Sequence, residues 1–206
     1  FRSKCTSAIG LENVIVTTPD NEIAKSCENF GFQYVISSKR CQSGTDRLAE
    51  FIQKNNDELL INVQGDEPMV PVEVIVNFCD YVSAVKVTCI GITRIFEDKS
   101  INSKDVVKVV ESNNELIYAS RQPIASKKLP NGNIYFKHSG IYCFTRNDLE
   151  FFSQFDKGPL ELLENIEILR LIERKISVKT YEIPNYGRSV DTIDDYDFVL
   201  KYGKFD

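Results

Sequence analysis

Apolar residues along this chain fall into short runs whose spacing alternates between that of strands and that of helices. Residues 58–63 form an apolar run without helical spacing, which is typical of a buried strand. Gly65 then allows a sharp exit of the backbone, and Pro68 cannot extend a strand ladder. The pattern therefore predicts a central strand whose carboxyl end carries two acidic residues, Asp66 and Glu67.

The spacing of apolar residues and the positions of capping residues also predict the other strands and helices of the chain. Strands are predicted where short apolar or β-branched runs occur, at 13–17, 33–36, 87–95, 106–110, 115–119, 135–145 and 176–183. Helices are predicted where apolar residues recur at helical spacing or follow a capping residue, at 1–9, 22–30, 45–54, from 71 onward, 147–155, 159–172 and 193–202. A turn at 112–114 joins a hairpin, and 126–132 is a polar loop. Strands that alternate with helices favour an α/β fold with a mostly parallel sheet and a hairpin excursion.

Composition narrows the class of protein. With 206 residues, of which 42% are hydrophobic, the chain is long enough for one domain with a real core. A net charge of −5 gives no basic surface for nucleic acid. No apolar run approaches the length of a membrane helix. We expect no nucleic-acid partner and no membrane partner.

Other motifs exclude several further classes. The six cysteines form no CxxC pair, which disfavours a zinc knuckle or a redox site, and a reducing cytoplasm is the expected location. The chain has no GxGxxG or Walker A loop, so dinucleotide dehydrogenases and P-loop kinases are disfavoured.

The acidic pair after the central strand is the first candidate site. Ligands of open α/β sheets bind at the carboxyl ends of strands, where Asp66 and Glu67 are predicted to lie. Carboxylate oxygens suit a hard divalent cation that carries nucleotide phosphates. An ordinary acidic turn after a core strand is an equally weighted alternative.

Four other stretches are candidates on weaker grounds. The segment 42–47 can present backbone N–H groups and Arg47 to a base or an anion, although capped loop–helix junctions of this kind are common. Arg121 follows a predicted strand and faces either a cleft or solvent. His138 is the only histidine, and a satisfied structural role is the commoner outcome for such a residue. Asp191 either caps the last helix or is a second metal ligand.

Taken together, these stretches resemble the ordered motifs of the 3-deoxy-manno-octulosonate cytidylyltransferases. The segments that carry the resemblance are 43–50, 62–68, 120–124, 137–142, 159–161 and 190–192. They occur in the family's order and span nearly the whole chain, and the first two together are specific.

The resemblance implies both a fold and an activity. The implied fold is that of the nucleotide-diphospho-sugar transferases, a Rossmann-like, mostly parallel sheet with helices on both faces, and the implied assembly is a homodimer. The implied reaction transfers CMP from CTP to the anomeric hydroxyl of an acidic eight-carbon sugar and releases pyrophosphate. Such a transfer depends mainly on positioning and charge neutralisation.

The resemblance also assigns residues to roles. It implies that Asp66 and Asp191 hold Mg²⁺, so that two distant strand ends converge on one ion. It implies catalytic roles for Asp66, Asp191 and Arg121, the last pairing with the sugar carboxylate. The implied substrate-binding residues are Ser43, Gly44, Thr45 and Arg47 for the nucleotide and Gln64 and His138 for the sugar. Glu167 is a further implied substrate-binding residue.

Two departures from the family pattern qualify these expectations. The resemblance begins after the family's N-terminal strand and phosphate-gripping loop, so that we expect 1–206 to be a single cytidylyltransferase-like domain without them. Ile168 stands where the family has a glutamine that helps to hold the sugar, which leaves the exact sugar open. A non-catalytic nucleotide- or sugar-binding relative is therefore the main alternative. A glycosyltransferase is a weaker one, since Asp66 and its neighbours match the Asp-x-Asp metal motif of those enzymes poorly.

Overall fold

The structure is a computed structural model that describes residues 2–95, 98–124 and 135–203. Its strands are β1 (Val16–Thr18), β2 (Tyr34–Ile36), β3 (Leu59–Val63), β4 (Cys89–Ile95), β5 (Lys108–Ser112), β6 (Glu115–Ser120), β7 (Tyr135–Thr145) and β8 (Lys179–Glu182). Its helices are α1 (Arg2–Ile9), α2 (Asn21–Asn29), α3 (Gly44–Ile52), α4 (Val72–Val85), α5 (Asp98–Asn102), α6 (Arg146–Ser153), α7 (Pro159–Glu164), α8 (Leu169–Ile172) and α9 (Ile193–Tyr202). The predicted polar loop at 126–132 lies outside the described residues. Within the described ranges, no helix is long and apolar enough to cross a membrane.

The main sheet is mixed, so the expectation of a mostly parallel sheet is wrong. Its six strands follow the order β3-β7-β4-β8-β6-β5, and β5 also pairs with β7, which closes five of them into a barrel-like ring. The long strand β7 lies antiparallel to β3, β4 and β5, while β4 and β8 are parallel. The strands β1 and β2 form a separate parallel pair. The sequence predicted β7 itself over 135–145, but it did not predict that this strand inserts antiparallel between β3 and β4, because strand order leaves no local signal.

Helices cover both faces of the sheet, as predicted. On β7, Tyr142 and Phe144 face a core that also contains α3, α6 and α8, whereas Ile141 and Cys143 face a core built with α4 and α1. This arrangement follows from the strand period, because successive side chains point to opposite faces. The site described below lies just beyond the end of β3, beside Gly140 in the middle of β7 and between these two layers.

The predicted hairpin is present, and its turn has the expected chemistry. Asn113 and Asn114 join β5 to β6 with φ angles of 55° and 57°. Two successive residues with positive φ are the signature of the hairpin turn whose twist matches the flanking strands, and asparagine tolerates that conformation.

The single helix predicted over 159–172 is instead two short helices. Asn165 adopts the left-handed conformation with φ 53° and ends α7, and a turn separates it from α8. Leu163, one of the apolar residues at helical spacing in that predicted helix, is 81% exposed. Glu164 and Glu167 lie on either side of this break. Glu164 can therefore bind the backbone of Arg121, while Glu167 binds the start of α3. The first strand also begins later than predicted, at Val16, after a short 3₁₀ turn.

Candidate active site

Two carboxylates that are far apart in sequence lie together beyond the end of β3. The backbone N–H of Val190 donates a hydrogen bond of 2.8 Å to the carbonyl oxygen of Asp66, which brings Asp191 to this strand end. Burial raises the pKa of Asp66, and the negative charge of Asp191 raises it further. The two side chains are therefore close enough to interact electrostatically.

The acidic pair presents ligand atoms that the protein itself leaves unused. Oδ1 of Asp66 is buried and has no hydrogen-bond partner within the described part of the chain. Asp191 is exposed, and its Oδ2 accepts a hydrogen bond of 3.2 Å from Ser189. In 2–95, 98–124 and 135–203, no group of three or more His, Cys, Asp or Glu residues could hold a metal. Two carboxylates fit Mg²⁺, which commonly takes one or two of them and completes its shell with water and phosphate oxygens.

Glu67 lies behind this pair and fixes the approach of β7. Its Oε1 accepts a hydrogen bond of 3.1 Å from the backbone N–H of Gly140. The carbonyl oxygen of Gly140 in turn accepts a hydrogen bond of 2.8 Å from the backbone N–H of Gln64. A Cβ atom on Gly140 would lie 2.5 Å from Cγ of Glu67, so the close approach of the two segments requires glycine here.

We expect Gly140→Ala to destabilise the protein, because the added methyl overlaps the Glu67 side chain. Overpacking of this kind costs about 1–3 kcal/mol. Gly65→Ala is the matched control, since nothing lies within 4 Å of a Cβ atom at that position. Urea unfolding of both variants is the measurement. Equal free energies of unfolding for the two variants would contradict the close approach.

A row of polar side chains extends from Gln64 along one face of β7. Nε2 of Gln64 donates a hydrogen bond of 3.4 Å to the hydroxyl of Tyr142, which also contacts Nδ1 of His138 at 3.4 Å. His138, Gly140 and Tyr142 are alternate residues of one strand and therefore share a face. The structure thus brings Gln64 and His138 together through Tyr142, a residue that the sequence analysis did not single out. Tyr142 is four residues from His138 on a predicted strand, and this spacing could have indicated that the two side chains share a face.

His138 is held in its neutral form. Burial and, to a smaller extent, the positive charge of Arg121 lower the pKa of its imidazole to about 4. Its Nε2 is buried without a hydrogen-bond partner among the described residues. A neutral imidazole has one donor and one acceptor, so this nitrogen can exchange a hydrogen bond with a hydroxyl group.

The buried imidazole also predicts a pH dependence of stability. The unfolded chain binds a proton at His138 below about pH 6.5, whereas the folded chain does so only near pH 4. Stability is therefore lost as the pH falls from 6.5 toward 4, by up to about 3 kcal/mol. The variant His138→Gln lacks this titration. Its free energy of unfolding relative to wild type should therefore rise as the pH falls from 6.5 to 4, and it should stay constant above pH 7. Urea unfolding at several pH values measures the difference, and parallel curves would show that the imidazole is not buried and neutral.

The segment 43–47 forms the start of α3, and a carboxylate of the protein occupies its first N–H groups. Oγ of Ser43 caps the helix by accepting from the N–H of Asp46 at 3.1 Å. The two oxygens of Glu167 accept from the N–H groups of Gly44 at 3.3 Å and Thr45 at 2.8 Å. The expectation that these N–H groups are open to a base or an anion is therefore corrected.

Arg47 and Glu167 nevertheless connect this segment to the rest of the site. Nε of Arg47 is buried without a hydrogen-bond partner in the described part of the chain. Burial raises the pKa of Tyr142 and the charge of Glu167 raises it further, so Glu167, which binds the start of α3, also acts on the polar row on β7. Sequence alone could not reveal this link, because Glu167 and Thr45 are 122 residues apart.

Arg121 is fixed by backbone carbonyl groups rather than solvated. Its guanidinium donates to the carbonyl oxygens of Glu164 at 3.0 Å, Lys104 at 3.1 Å and Asn165 at 3.4 Å. Its backbone N–H donates to Oε2 of Glu164 at 2.9 Å, and its carbonyl oxygen accepts from the buried ammonium of Lys108. Arg121 has five N–H donors, so two remain for a ligand.

Comparison with solved structures identifies the class of fold to which this chain belongs. The chain is similar to the structure of CMP:2-keto-3-deoxy-manno-octonic acid synthetase complexed with CTP, with a TM-score of 0.88 and 28% identity over 97% of this chain and 83% of that one. It also shares its fold with the inositol-1-phosphate CTP transferase from T. maritima, with a TM-score of 0.55 and 13% identity over 88% of this chain and 70% of that one. The fold and the site define a nucleotidyltransferase with the α/β architecture of the nucleotide-diphospho-sugar transferases.

Sequence comparison narrows this class. The family described as Cytidylyltransferase matches residues 5–183. A 3-deoxy-manno-octulosonate cytidylyltransferase from Fusobacterium nucleatum is 33% identical over 94% of this chain and 81% of its own length. An 8-amino-3,8-dideoxy-manno-octulosonate cytidylyltransferase from Shewanella pealeana is 31% identical over 93% and 81%, respectively. The chain belongs to the 3-deoxy-manno-octulosonate cytidylyltransferase family.

Proposed function

We propose that this chain transfers CMP from CTP to the anomeric hydroxyl of an acidic eight-carbon sugar and releases pyrophosphate. The observation that carries the proposal is the Asp66–Asp191 pair beside the polar row of Gln64, Tyr142 and His138. The pair provides anionic oxygens for a phosphate-bound cation, and the row provides groups that bind hydroxyls. The names of the relatives from Fusobacterium nucleatum and Shewanella pealeana support this substrate class.

Asp66 and Asp191 are the residues that would hold Mg²⁺. The unpartnered Oδ1 of Asp66 supports this assignment, because a buried carboxylate oxygen without a partner is costly unless a ligand binds it. When bound, Mg²⁺ supplies charge neutralisation for the phosphates and favours the ionised form of a nearby hydroxyl.

The protein's other side chains bind and orient the substrates in this proposal. The two remaining donors of Arg121 suit a carboxylate, which accepts two parallel hydrogen bonds from a guanidinium. The neutral His138 and the amide of Gln64 suit sugar hydroxyls, since each can donate or accept. The unpartnered Nε of Arg47 suits an acceptor on the nucleotide. Positioning of this kind is the main contribution of a protein to phosphoryl-type transfer.

The identity of the sugar is the finer part of the proposal. Ile168 is only 2% exposed and belongs to the core beneath α3, so its side chain offers no polar group to a substrate. The relatives include enzymes named for the 8-hydroxy sugar and for the 8-amino sugar. We therefore propose that the acceptor is 3-deoxy-manno-octulosonate or its 8-amino derivative.

A pyrophosphate-release assay with CTP, Mg²⁺ and each of these two sugars tests the proposed function. We expect release with at least one sugar and formation of the matching CMP-sugar in the ³¹P NMR spectrum. Replacing CTP by ATP or GTP is the control, and it should give no product. Binding of CTP without release in the presence of either sugar would instead support a non-catalytic nucleotide-binding relative.

Assembly and location are further proposals. We propose a homodimer, which the family resemblance implies, and a cytoplasmic location, which follows from the cysteine pattern of the sequence. Sedimentation velocity at micromolar concentration distinguishes a dimer from a 23.5 kDa monomer.

A further inference from the structure

Lys108 is a buried cation that the proposed reaction does not use directly. Its side chain on β5 is fully buried. The ammonium group has three N–H donors, and it makes three hydrogen bonds to backbone carbonyl oxygens, those of Ser103 and Val106, each at 2.7 Å, and that of Arg121. No donor then remains for a ligand. Because a buried charge is costly unless its hydrogen bonds are made, this ammonium is suited to hold backbone rather than to bind a substrate.

The loop that Lys108 binds also carries an acceptor for the Arg121 guanidinium. Residues 103–107 join α5 to β5 and have no helix or strand of their own. The ammonium binds this loop on either side of Lys104, whose carbonyl oxygen accepts a hydrogen bond of 3.1 Å from Nη1 of Arg121. Lys108 therefore fixes both the backbone of Arg121 and one of the groups that orient its side chain.

The same loop contacts the strand that carries His138. The backbone N–H of His138 donates a hydrogen bond of 2.9 Å to the carbonyl oxygen of Val107. At Lys108, β5 pairs with β6 on one side and with β7 on the other. Arg121 directly follows β6, and His138 lies in β7. Lys108 thus lies between the two strands that carry residues proposed to bind the sugar.

The other contacts of the Arg121 guanidinium come from the break between α7 and α8. Nε donates to the carbonyl oxygen of Glu164 at 3.0 Å, and Nη2 donates to that of Asn165 at 3.4 Å. One N–H on Nη1 and one on Nη2 therefore remain for a ligand. Since the guanidinium is planar, the bond from Nη1 to Lys104 sets the direction of both remaining donors. Loss of the loop contact would leave Arg121 attached but less well oriented.

We propose that Lys108 is a positioning residue that holds loop 103–107 against Arg121 and thereby orients the Arg121 guanidinium toward the carboxylate of the sugar. Lys108 itself touches neither substrate nor cation. This role rests on the proposed function, in which Arg121 binds the sugar carboxylate. The attachment of the loop is a property of the folded protein and does not depend on that function.

The kinetics of Lys108→Met test this role, because methionine keeps an unbranched apolar side chain and removes the ammonium. The KM for the acidic sugar should rise by about tenfold, since a poorly oriented guanidinium loses part of its paired hydrogen bonds to the carboxylate. The KM for CTP at saturating sugar and Mg²⁺ should change much less. Lys25→Met, at an exposed position on α2, is the matched control and should behave as wild type.

A double-mutant cycle separates positioning of Arg121 from a general structural effect. Arg121→Met raises the KM for the sugar by removing the guanidinium itself. If Lys108 acts through Arg121, adding Lys108→Met to Arg121→Met should raise the KM little further, whereas independent effects would multiply. Hydrogen–deuterium exchange in residues 103–107 should become faster in Lys108→Met, because two attachments of this loop are lost.

A variant of the loop itself keeps this role testable if Lys108→Met fails to fold. Oγ of Ser103 accepts a hydrogen bond of 3.2 Å from the backbone N–H of Asp105 and so shapes the turn that contains Lys104. Ser103→Ala removes this bond and leaves the ammonium of Lys108 in place. It should raise the KM for the sugar in the same direction by a smaller factor.

The outcomes separate the positioning role from the proposed function. A wild-type KM for the sugar in folded Lys108→Met, or in Ser103→Ala if the former does not fold, would overturn the positioning role, and so would a fully additive cycle. A wild-type protein that releases no pyrophosphate with either sugar would overturn the proposed function instead. In that case faster exchange of 103–107 in Lys108→Met would still establish the attachment of the loop, and unchanged exchange would refute it.

Discussion

The variant Asp66→Asn should lose catalytic activity by about 10³-fold, since a cation that neutralises the phosphates is worth several kcal/mol in the transition state. An amide oxygen is a weaker ligand for Mg²⁺ than a carboxylate oxygen. The rate of pyrophosphate release at saturating CTP, sugar and Mg²⁺ is the measurement.

The same substitution should not weaken the fold. Burial and the charge of Asp191 raise the pKa of Asp66 above its ordinary value, so the ionised carboxylate is disfavoured in the folded state. A raised carboxyl pKa means that stability falls as the pH rises through the titration of this group, so its ionised form costs stability at pH 7. The Asn variant is therefore expected to be at least as stable as wild type at that pH.

A second metal-ligand variant and a control variant complete this prediction. Asp191→Asn should show a comparable loss of activity. Asp80→Asn, which changes an exposed position on α4, should show none. Retention of activity in Asp66→Asn, or its loss in Asp80→Asn as well, would remove Asp66 from the metal role.

The largest expected loss of stability is that of Arg170→Met. Nε and Nη2 of Arg170 bind both oxygens of Glu161 at 2.6 Å, and the two side chains are only 5% and 2% exposed. The guanidinium also contacts Asp46 on α3 at 3.3 Å and lies 3.7 Å from the centre of the Phe152 ring. This buried network holds α7 and α8 against α3. Removing Arg170 leaves a buried carboxylate unpaired, which costs about 3–5 kcal/mol and lowers the Tm by about 2–4 °C per kcal/mol.

An exposed ion pair provides the matched control for this prediction. Arg94 binds both oxygens of Glu182 at 2.6 and 2.9 Å, but the two side chains are 44% and 45% exposed. Such a pair contributes about 1 kcal/mol or less, so Arg94→Met should change the Tm little. The double variant Glu161→Met with Arg170→Met should recover much of the loss, because no buried charge then remains. Similar melting temperatures for Arg170→Met and Arg94→Met would contradict the buried network.

Local patterns were sufficient to predict parts of this structure. The apolar run before Gly65 predicts β3 and locates Asp66 at its end, because both signals are confined to a few neighbouring residues. The two asparagines of the hairpin turn are similarly informative, since they adopt the one backbone conformation that such a turn needs.

Other parts depend on contacts between distant residues and could not be predicted in this way. The antiparallel insertion of β7 makes the sheet mixed, and no local pattern distinguishes it from a parallel strand. The helix predicted over 159–172 breaks because Glu164 binds the backbone of Arg121 while Glu167 binds the start of α3. An apolar stripe shows helical propensity but not the pull of such polar contacts. The contact of Glu167 also closes the start of α3, which was expected to be open because Glu167 is 122 residues away from Thr45 in the sequence.

Electron–nuclear double resonance on Mn²⁺ bound together with CTP tests most directly whether Asp66 and Asp191 share one cation. The protein is labelled with ¹³C at its aspartate carboxyl carbons, so that each metal-bound carboxylate gives a ¹³C coupling alongside the ³¹P coupling of the nucleotide. We expect two carboxylate couplings in the wild-type protein and the loss of one in each of Asp66→Asn and Asp191→Asn. A bound Mn²⁺ without carboxylate couplings, or couplings that both variants leave unchanged, would contradict this expectation.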